Sequence, residues 1–195
     1  MEETRRGVLE LSLAEPTQTA PPPCAVTLAA AVPAQGKLET IVHQATELGV
    51  RTVVPLWTER CVGRFNPDRF AGRMARLQAI AIEALKQSGN PWLPAIQPLR
   101  RWKEMVGEFP QHERLLIATV EGPHEELRPL VQPPPRSVLL LIGPEGDFSP
   151  REAEQAARAG ARRIALGPSV LRCETACVAA LAVLQQLLRE GPPDG

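Results

Sequence analysis

The sequence is poor in lysine: of its 22 basic residues, only Lys37, Lys86 and Lys103 are not arginine. The phosphate-binding G-x-x-x-x-G-K-[ST] loop is absent, and so is the dinucleotide fingerprint G-x-G-x-x-G. No apolar stretch approaches the roughly 20 residues of a membrane span. The start, MEETRRGVLELSLAEP, lacks the apolar core of a secretory signal. The cysteines Cys24, Cys61, Cys173 and Cys177 form no C-x-x-C pair and have no histidine at ligand spacing, so no metal is expected. Free thiols in a reducing cytoplasm are expected instead. Neither sign of charge is in excess, with 22 basic against 22 acidic residues, so bulk charge gives no pointer to nucleic acid. The arginine bias suits phosphate contacts, but on composition alone GC-rich coding or a thermal preference accounts for it more readily.

What is present is an alternation of apolar runs and helical periodicity. Strands are expected at 24–32, 51–57, 114–120, 137–143 and 162–167, with a short extended piece at 93–99. Helices are expected at 36–50, 66–89, 100–109, 149–160 and about 174–190. RLLIATV and SVLLLIG are continuously apolar, as strands buried on both faces are. This pattern predicts an α/β domain over 24–190, with a mainly parallel sheet flanked by helices. Residues 1–23, ending in AEPTQTAPPP, are expected to be a disordered linker or a frayed remnant, and 191–195 a disordered tail.

Two loops at strand ends stand out. In SVLLLIGPEGDFSPREAEQA an apolar run stops at Gly143-Pro144-Glu145-Gly146. A helix follows with Ser149 as cap, Pro150 in the first turn and Glu152 completing a capping box. Ligands of such sheets sit beyond the carboxyl ends of the strands, and glycine there allows close approach. Glu145 and Asp147 would repel a phosphate, so the loop suits a ligand that is neutral or cationic at that point. The second loop, LGPSVLRCETACVAAL, breaks after its strand at Gly167-Pro168 and enters a helix rich in small residues. A third strand end offers Thr119-Val120-Glu121-Gly122.

LIGPEGDFSPREAEQA and LGPSVLRCETACVAAL resemble the paired signature loops of the ribosomal RNA small-subunit methyltransferase E family, of the SPOUT superfamily. GKLETIVHQATELGVRTVVPLWTERC and EALKQSGNPWLPAI resemble two further blocks of that family, in the same order. The resemblance spans roughly residues 25–188. It implies a SPOUT fold with a C-terminal trefoil knot, a homodimer, and S-adenosylmethionine as methyl donor. The implied reaction is methylation of uridine N3 in 16S rRNA, on RNA or on the small ribosomal subunit. The chain departs from the family pattern at Gln44, Asn90 and Asp147, where the family has lysine, arginine and glycine. The family begins with a PUA-like RNA-binding barrel, of which residues 1–23 would be at most a remnant.

A cofactor pocket is expected from main chain of the three loops, at Thr119, Ile142, Gly143, Glu145, Gly146, Leu166, Gly167, Val170, Leu171 and Thr175. Removing or offsetting the N3 proton needs a base or a fixed positive charge. Arg172 is the candidate cation for a uridine oxygen or phosphate. Glu174 is a candidate base, or a residue that orients Arg172 or caps its helix. For RNA contact the candidates are Lys37, Arg60, Arg69 and Arg73, with Arg73 sharing a helical face with Arg69 and Arg76. Glu83 and Gln87, four apart, share another face, either near the active site or simply solvated. His43, His112 and His124 suggest no chemistry. A ribose 2′-O-methyltransferase of the same superfamily is one alternative. A cofactor-binding relic or ribosome-assembly factor is the other. At Asp147 a positive φ would cost strain, so on backbone grounds Asp147→Gly is expected to keep or improve cofactor affinity.

Overall fold

The structure is a computed structural model, and it describes residues 18–34 and 36–189. The expectations for 1–17 and 190–195 lie outside the described residues. Seven strands form one sheet: β1 (Ala25–Ala31), β2 (Thr52–Trp57), β3 (Ala95–Ile96), β4 (Arg100–Arg101), β5 (Arg114–Ala118), β6 (Ser137–Ile142) and β7 (Arg162–Ile164). The order is β3-β2-β1-β6-β5-β7, with β4 also on β2, and every pairing is parallel. The helices are α1 (Leu38–Glu47), α2 (Pro67–Ala71), α3 (Met74–Ser88), α4 (Trp102–Glu108), α5 (Leu127–Val131), α6 (Pro150–Arg158) and α7 (Cys173–Arg189).

The apolar runs are continuous because the sheet has a core on each face. On β6, Val138, Leu140 and Ile142 join one cluster with residues of α1, α3 and α7. Leu139 and Leu141 join the other, with Trp102, Met105 and Ala156 of α4 and α6. Strand β5 divides in the same way, Leu116 to the first cluster and Leu115 and Ile117 to the second. Side chains of successive strand residues alternate between faces, so a run without polar residues fills both layers.

The helix expected at 149–160 is α6, and its start is built as the spacing predicts. Ser149 Oγ accepts from Glu152 N–H at 3.3 Å, and Glu152 Oε2 accepts from Ser149 N–H at 3.0 Å. The other oxygen of Glu152 accepts from Glu59 N–H at 2.9 Å, which ties the loop after β2 to this helix. That double use explains a carboxylate only 4% exposed.

Two expectations are corrected. The helix at 66–89 is divided: the turn tightens at Gly72, where Arg73 N–H bonds to the Phe70 carbonyl three residues back at 2.8 Å. Arg69 and Arg73 therefore belong to different stretches and share no continuous face. Arg73 instead donates to Glu39 of α1 at 2.8 Å, with Arg76 at 3.9 Å from the same oxygen. The strands expected at 114–120 and 162–167 stop at Ala118 and Ile164. Thr119–Val120 and Ala165–Gly167 leave the ladder as loops. Helix α5 was not expected; Glu126 makes no side-chain cap bond to announce it.

The Arg73–Glu39 pair gives a pH-dependent prediction. Burial pushes the Glu39 carboxyl up, but its bonds to Arg73 and the charges of Arg73 and Arg76 outweigh this and hold it below 4.5. A carboxylate with a depressed pKa stabilises the folded state above the unfolded value, and that contribution fades as pH falls through the folded value. Arg73→Gln should therefore cost about 0.5–1 kcal/mol of pH-dependent stability at neutral pH. In urea unfolding at stepped pH, the gap to wild type should narrow below pH 4.5. A gap that stays constant with pH would mean the pair adds nothing electrostatic.

Candidate active site

Strands β6, β5 and β7 are neighbours and parallel, so their carboxyl ends lie side by side. The loops that follow them enclose a cavity of about 290 Å³, at the lower end of small-molecule sites (about 300–1,000 Å³). Thr119, Ile142, Gly143, Glu145, Leu166, Gly167, Val170 and Leu171 all line it. Cys173 and Ala176, from the first turn of α7, close its floor. Among the described residues of the lining there is no lysine or arginine, and the two acids are Glu145 and Asp147.

The loops are tied to each other by those acids. Asp147 sits at φ 61. Its Oδ2 accepts from Val120 N–H at 2.8 Å, and Oδ1 accepts from Phe148 N–H at 2.7 Å. The amide that leaves the β5 ladder is thus satisfied by the loop after β6. Glu145 Oε1 accepts from Ala34 N–H at 3.3 Å, which links the same loop to the end of β1. The two glycines have different duties. A Cβ at Gly143 would lie 3.1 Å from Phe148 N and 3.2 Å from Asp147 C, so this glycine serves its own turn. Gly167 has φ +135 and nothing within 4 Å of its missing Cβ, so it is the backbone conformation of the turn after β7 that requires glycine there.

Other expected residues fall outside the lining. Gly146 faces the neighbouring groove, where its carbonyl accepts from Arg60 Nη1 at 2.6 Å. Thr175 and Arg172 are exposed, beside the cavity rather than in its wall. Glu174 is largely buried and stands 3.9 Å from Lys37 Nζ, so the starts of α1 and α7 are brought together. Arg69 is on α2, its N–H held by the Asn66 cap at 2.8 Å. Arg73 is committed to Glu39. Glu83 and Gln87 are exposed on α3 and do not line the cavity; Glu83 pairs with Lys86 at 2.9 Å.

One lining residue carried no signal in the sequence. His124 Nε2 is 2.9 Å from the Thr119 carbonyl and 3.2 Å from Thr119 Oγ1, bracing the loop after β5. The thiol of Cys173 donates to the Ala31 carbonyl at 3.6 Å. Interaction with Cys173, together with burial, holds the Cys177 thiol well above its usual range. Cys177 is therefore a neutral packing group and not a nucleophile. Asn90 clips two helix ends, donating from Nδ2 to the Thr46 carbonyl at 2.8 Å and accepting from Trp92 N–H at 3.0 Å. Among the described residues, no group of three or more His, Cys, Asp or Glu is placed to hold a metal ion.

The donor set fits an adenosyl sulfonium. Main-chain groups of three loops can read an adenine edge, Leu166 and Leu171 offer apolar walls, and a cation meets carboxylates in place of lysines. The Asp147 bond changes the expectation drawn from φ alone. Asp147→Gly relieves strain but releases Val120 N–H, so cofactor affinity should drop several-fold. Asp147→Ala keeps the strain and loses the bond, a loss of about tenfold, or about 1.4 kcal/mol. Asp147→Asn tolerates this φ and keeps one acceptor, but loses the charge and one of the two bonds, so it should fall between wild type and Asp147→Ala. Calorimetric titration reads this order; glycine binding as tightly as aspartate would show that strain outweighs the bond.

Residues 20–185 match the model of a family described as RNA methyltransferase domain. The ribosomal RNA small subunit methyltransferase E of Aquifex aeolicus is 32% identical over 178 residues, covering 90% of this chain and 75% of that one. The Neisseria gonorrhoeae enzyme of the same name, solved bound to S-adenosyl methionine, is 32% identical with a TM-score of 0.76, over 85% of this chain and 67% of that one. A Legionella pneumophila methyltransferase solved with bound SAM is 34% identical with a TM-score of 0.77, over 84% of this chain and 66% of that one. The cavity at the ends of β5, β6 and β7 thus belongs to a chain of known kind: it is a member of the ribosomal RNA small subunit methyltransferase E family.

Proposed function

We propose that this chain transfers methyl from S-adenosylmethionine to N3 of a uridine in 16S rRNA. The observation that carries this is the cavity itself: three convergent loops, no lysine or arginine among its described lining residues and two carboxylates in it. When bound, the cofactor supplies a methyl group on a positive sulfur, and transfer proceeds by in-line displacement. The work left to the protein is mainly alignment. Leu166, Val170 and Leu171 shape the apolar wall, and Asp147 and His124 hold the loop after β5 in place.

Arg172 stands at the rim as the fixed cation for a uridine oxygen or phosphate, where it offsets charge that develops as N3 loses its proton. Glu174 is better placed to position than to abstract, because its carboxylate already faces Lys37 at 3.9 Å. Lys37 is thereby held beside the same rim.

The homodimer and the trefoil knot are part of this proposal. For the dimer, Val183 is 52% exposed on the outer face of α7, flanked by the small residues Ala179 and Ala182. For the knot, α7 returns from the edge strand β7 to pack against β1 and α1, pinned where Cys173 meets Ala31. No helix among the described residues is long and apolar enough to cross a membrane. The cytoplasm is the proposed site of action, where ribosomal subunits are found.

Undermethylated small-subunit RNA incubated with labelled S-adenosylmethionine, followed by nucleoside mass spectrometry, tests the reading. The expected product is N3-methyluridine. Arg172→Ala should lower turnover about a hundredfold with cofactor affinity retained. Label on a ribose 2′-oxygen would replace this function with its sibling chemistry, and unchanged turnover in Arg172→Ala would remove Arg172 from the mechanism.

A further inference from the structure

A second groove, of about 670 Å³, lies between the first turns of α4 and α6 and the loop after β2. Three exposed cations line it: Arg101, Lys103 and Arg151. Two acids share the wall, Glu59 and Glu152. Glu152 is committed, each of its oxygens accepting from a backbone amide, those of Glu59 and Ser149. The Arg101 guanidinium lies 3.8 Å above the Phe65 ring centre, and Phe65 meets Trp57 edge-on at 6.1 Å. Trp57 reaches the groove. Stacking on Phe65 fixes the direction of the guanidinium while its N–H groups stay available.

A separate cleft lies close in sequence: Glu59, Arg151 and Glu152 of the groove are chain neighbours of Arg60, Pro150 and Ala153 of that cleft. One residue beyond Glu59, Arg60 crosses to the Gly146 carbonyl. It lines that cleft, of about 520 Å³, with Arg163. That cleft shares Thr119, Val120, Glu145, Asp147 and Val170 with the cofactor cavity. Along this track charge changes sign. The far end presents Arg101, Lys103 and Arg151. The near end places Glu121, Glu145 and Asp147 around Arg60 and Arg163. A polyanion is attracted at the far end and released from strong contact near the cavity, where a single base has to enter beside a cationic ligand.

We propose that the groove between α4 and α6 binds the phosphate backbone of the substrate RNA and leads it over Arg60 to the cofactor cavity. The inference rests on the RNA methyltransferase reading and adds to it a substrate-binding surface within the methyltransferase domain. Each lost phosphate contact to a single strand should lower the steepness of log K against log salt by about 0.7.

The test measures binding of the full chain to fluorescein-labelled polyuridylate by anisotropy over a salt series. Arg101→Gln/Lys103→Gln/Arg151→Gln is compared with a control carrying Lys86→Gln, Arg136→Gln and Arg158→Gln. The groove variant should bind more weakly, with the slope reduced by about 2, while the control matches wild type. Cofactor affinity by calorimetry should be unchanged, and KM for small-subunit RNA should rise more than kcat falls. Arg101 also packs on Phe65, so Lys103→Gln/Arg151→Gln, altering only exposed side chains, serves if the triple variant loses stability; its slope should drop by about 1.4. Equal slopes for groove variants and control would overturn the proposal. Groove-dependent RNA binding without any methyl transfer would leave the groove standing and remove the proposed function.

Discussion

The site depends on one constraint: β6, β5 and β7 are parallel neighbours. Parallel pairing places all three carboxyl ends at one edge of the sheet, so three loops far apart in sequence must meet. The β5–β6 pairing is strong because both strands are buried on both faces, with β6 contributing Val138, Leu140 and Ile142 to one core and Leu139 and Leu141 to the other; the edge strand β7 adds only Ile164. A one-residue slip of register would exchange the two faces of a strand and shift its loop. The cavity is a consequence of sheet order, made specific by what the loops carry.

The loops carry acids in place of the usual phosphate binders. Asp147 and Glu145 spend their oxygens on the amides of Val120 and Ala34, joining the loop after β6 to those after β5 and β1. The same carboxylates set the sign of the cavity. Structure and electrostatics therefore coincide: the groups that hold the loops together also favour a cationic ligand over a phosphate. On the far side of α6, Glu152 performs the comparable joining of the loop after β2, and the cations gather there instead.

Much of this was legible in the sequence because the signals were local. Strand burial shows as uninterrupted apolar runs, and the capping box at Ser149 and Glu152 needs only spacing to be recognised. The two signature loops were visible because glycine and proline punctuate strand ends. What was not legible required partners distant in sequence. Arg73 reads from sequence as an RNA-contact candidate; only the fold places Glu39, on another helix, beside it. His124 gained a role only when the β5 loop folded back on it. The early end of β5 follows from a bond outside the ladder, from Val120 N–H to Asp147, which periodicity does not encode. Asn90 and Asp147, read against the family pattern as departures, proved to be bonded residues in this fold.

The central claim is that three loops, after β5, β6 and β7, act as one receptor for S-adenosylmethionine. Hydrogen exchange with and without the cofactor tests it most directly, since amides of all three loops are followed in one experiment. The account predicts simultaneous protection in peptides covering 119–122, 143–147 and 165–172, with little change in α3. Protection confined to one loop, or absent from all three at saturating cofactor, would contradict it.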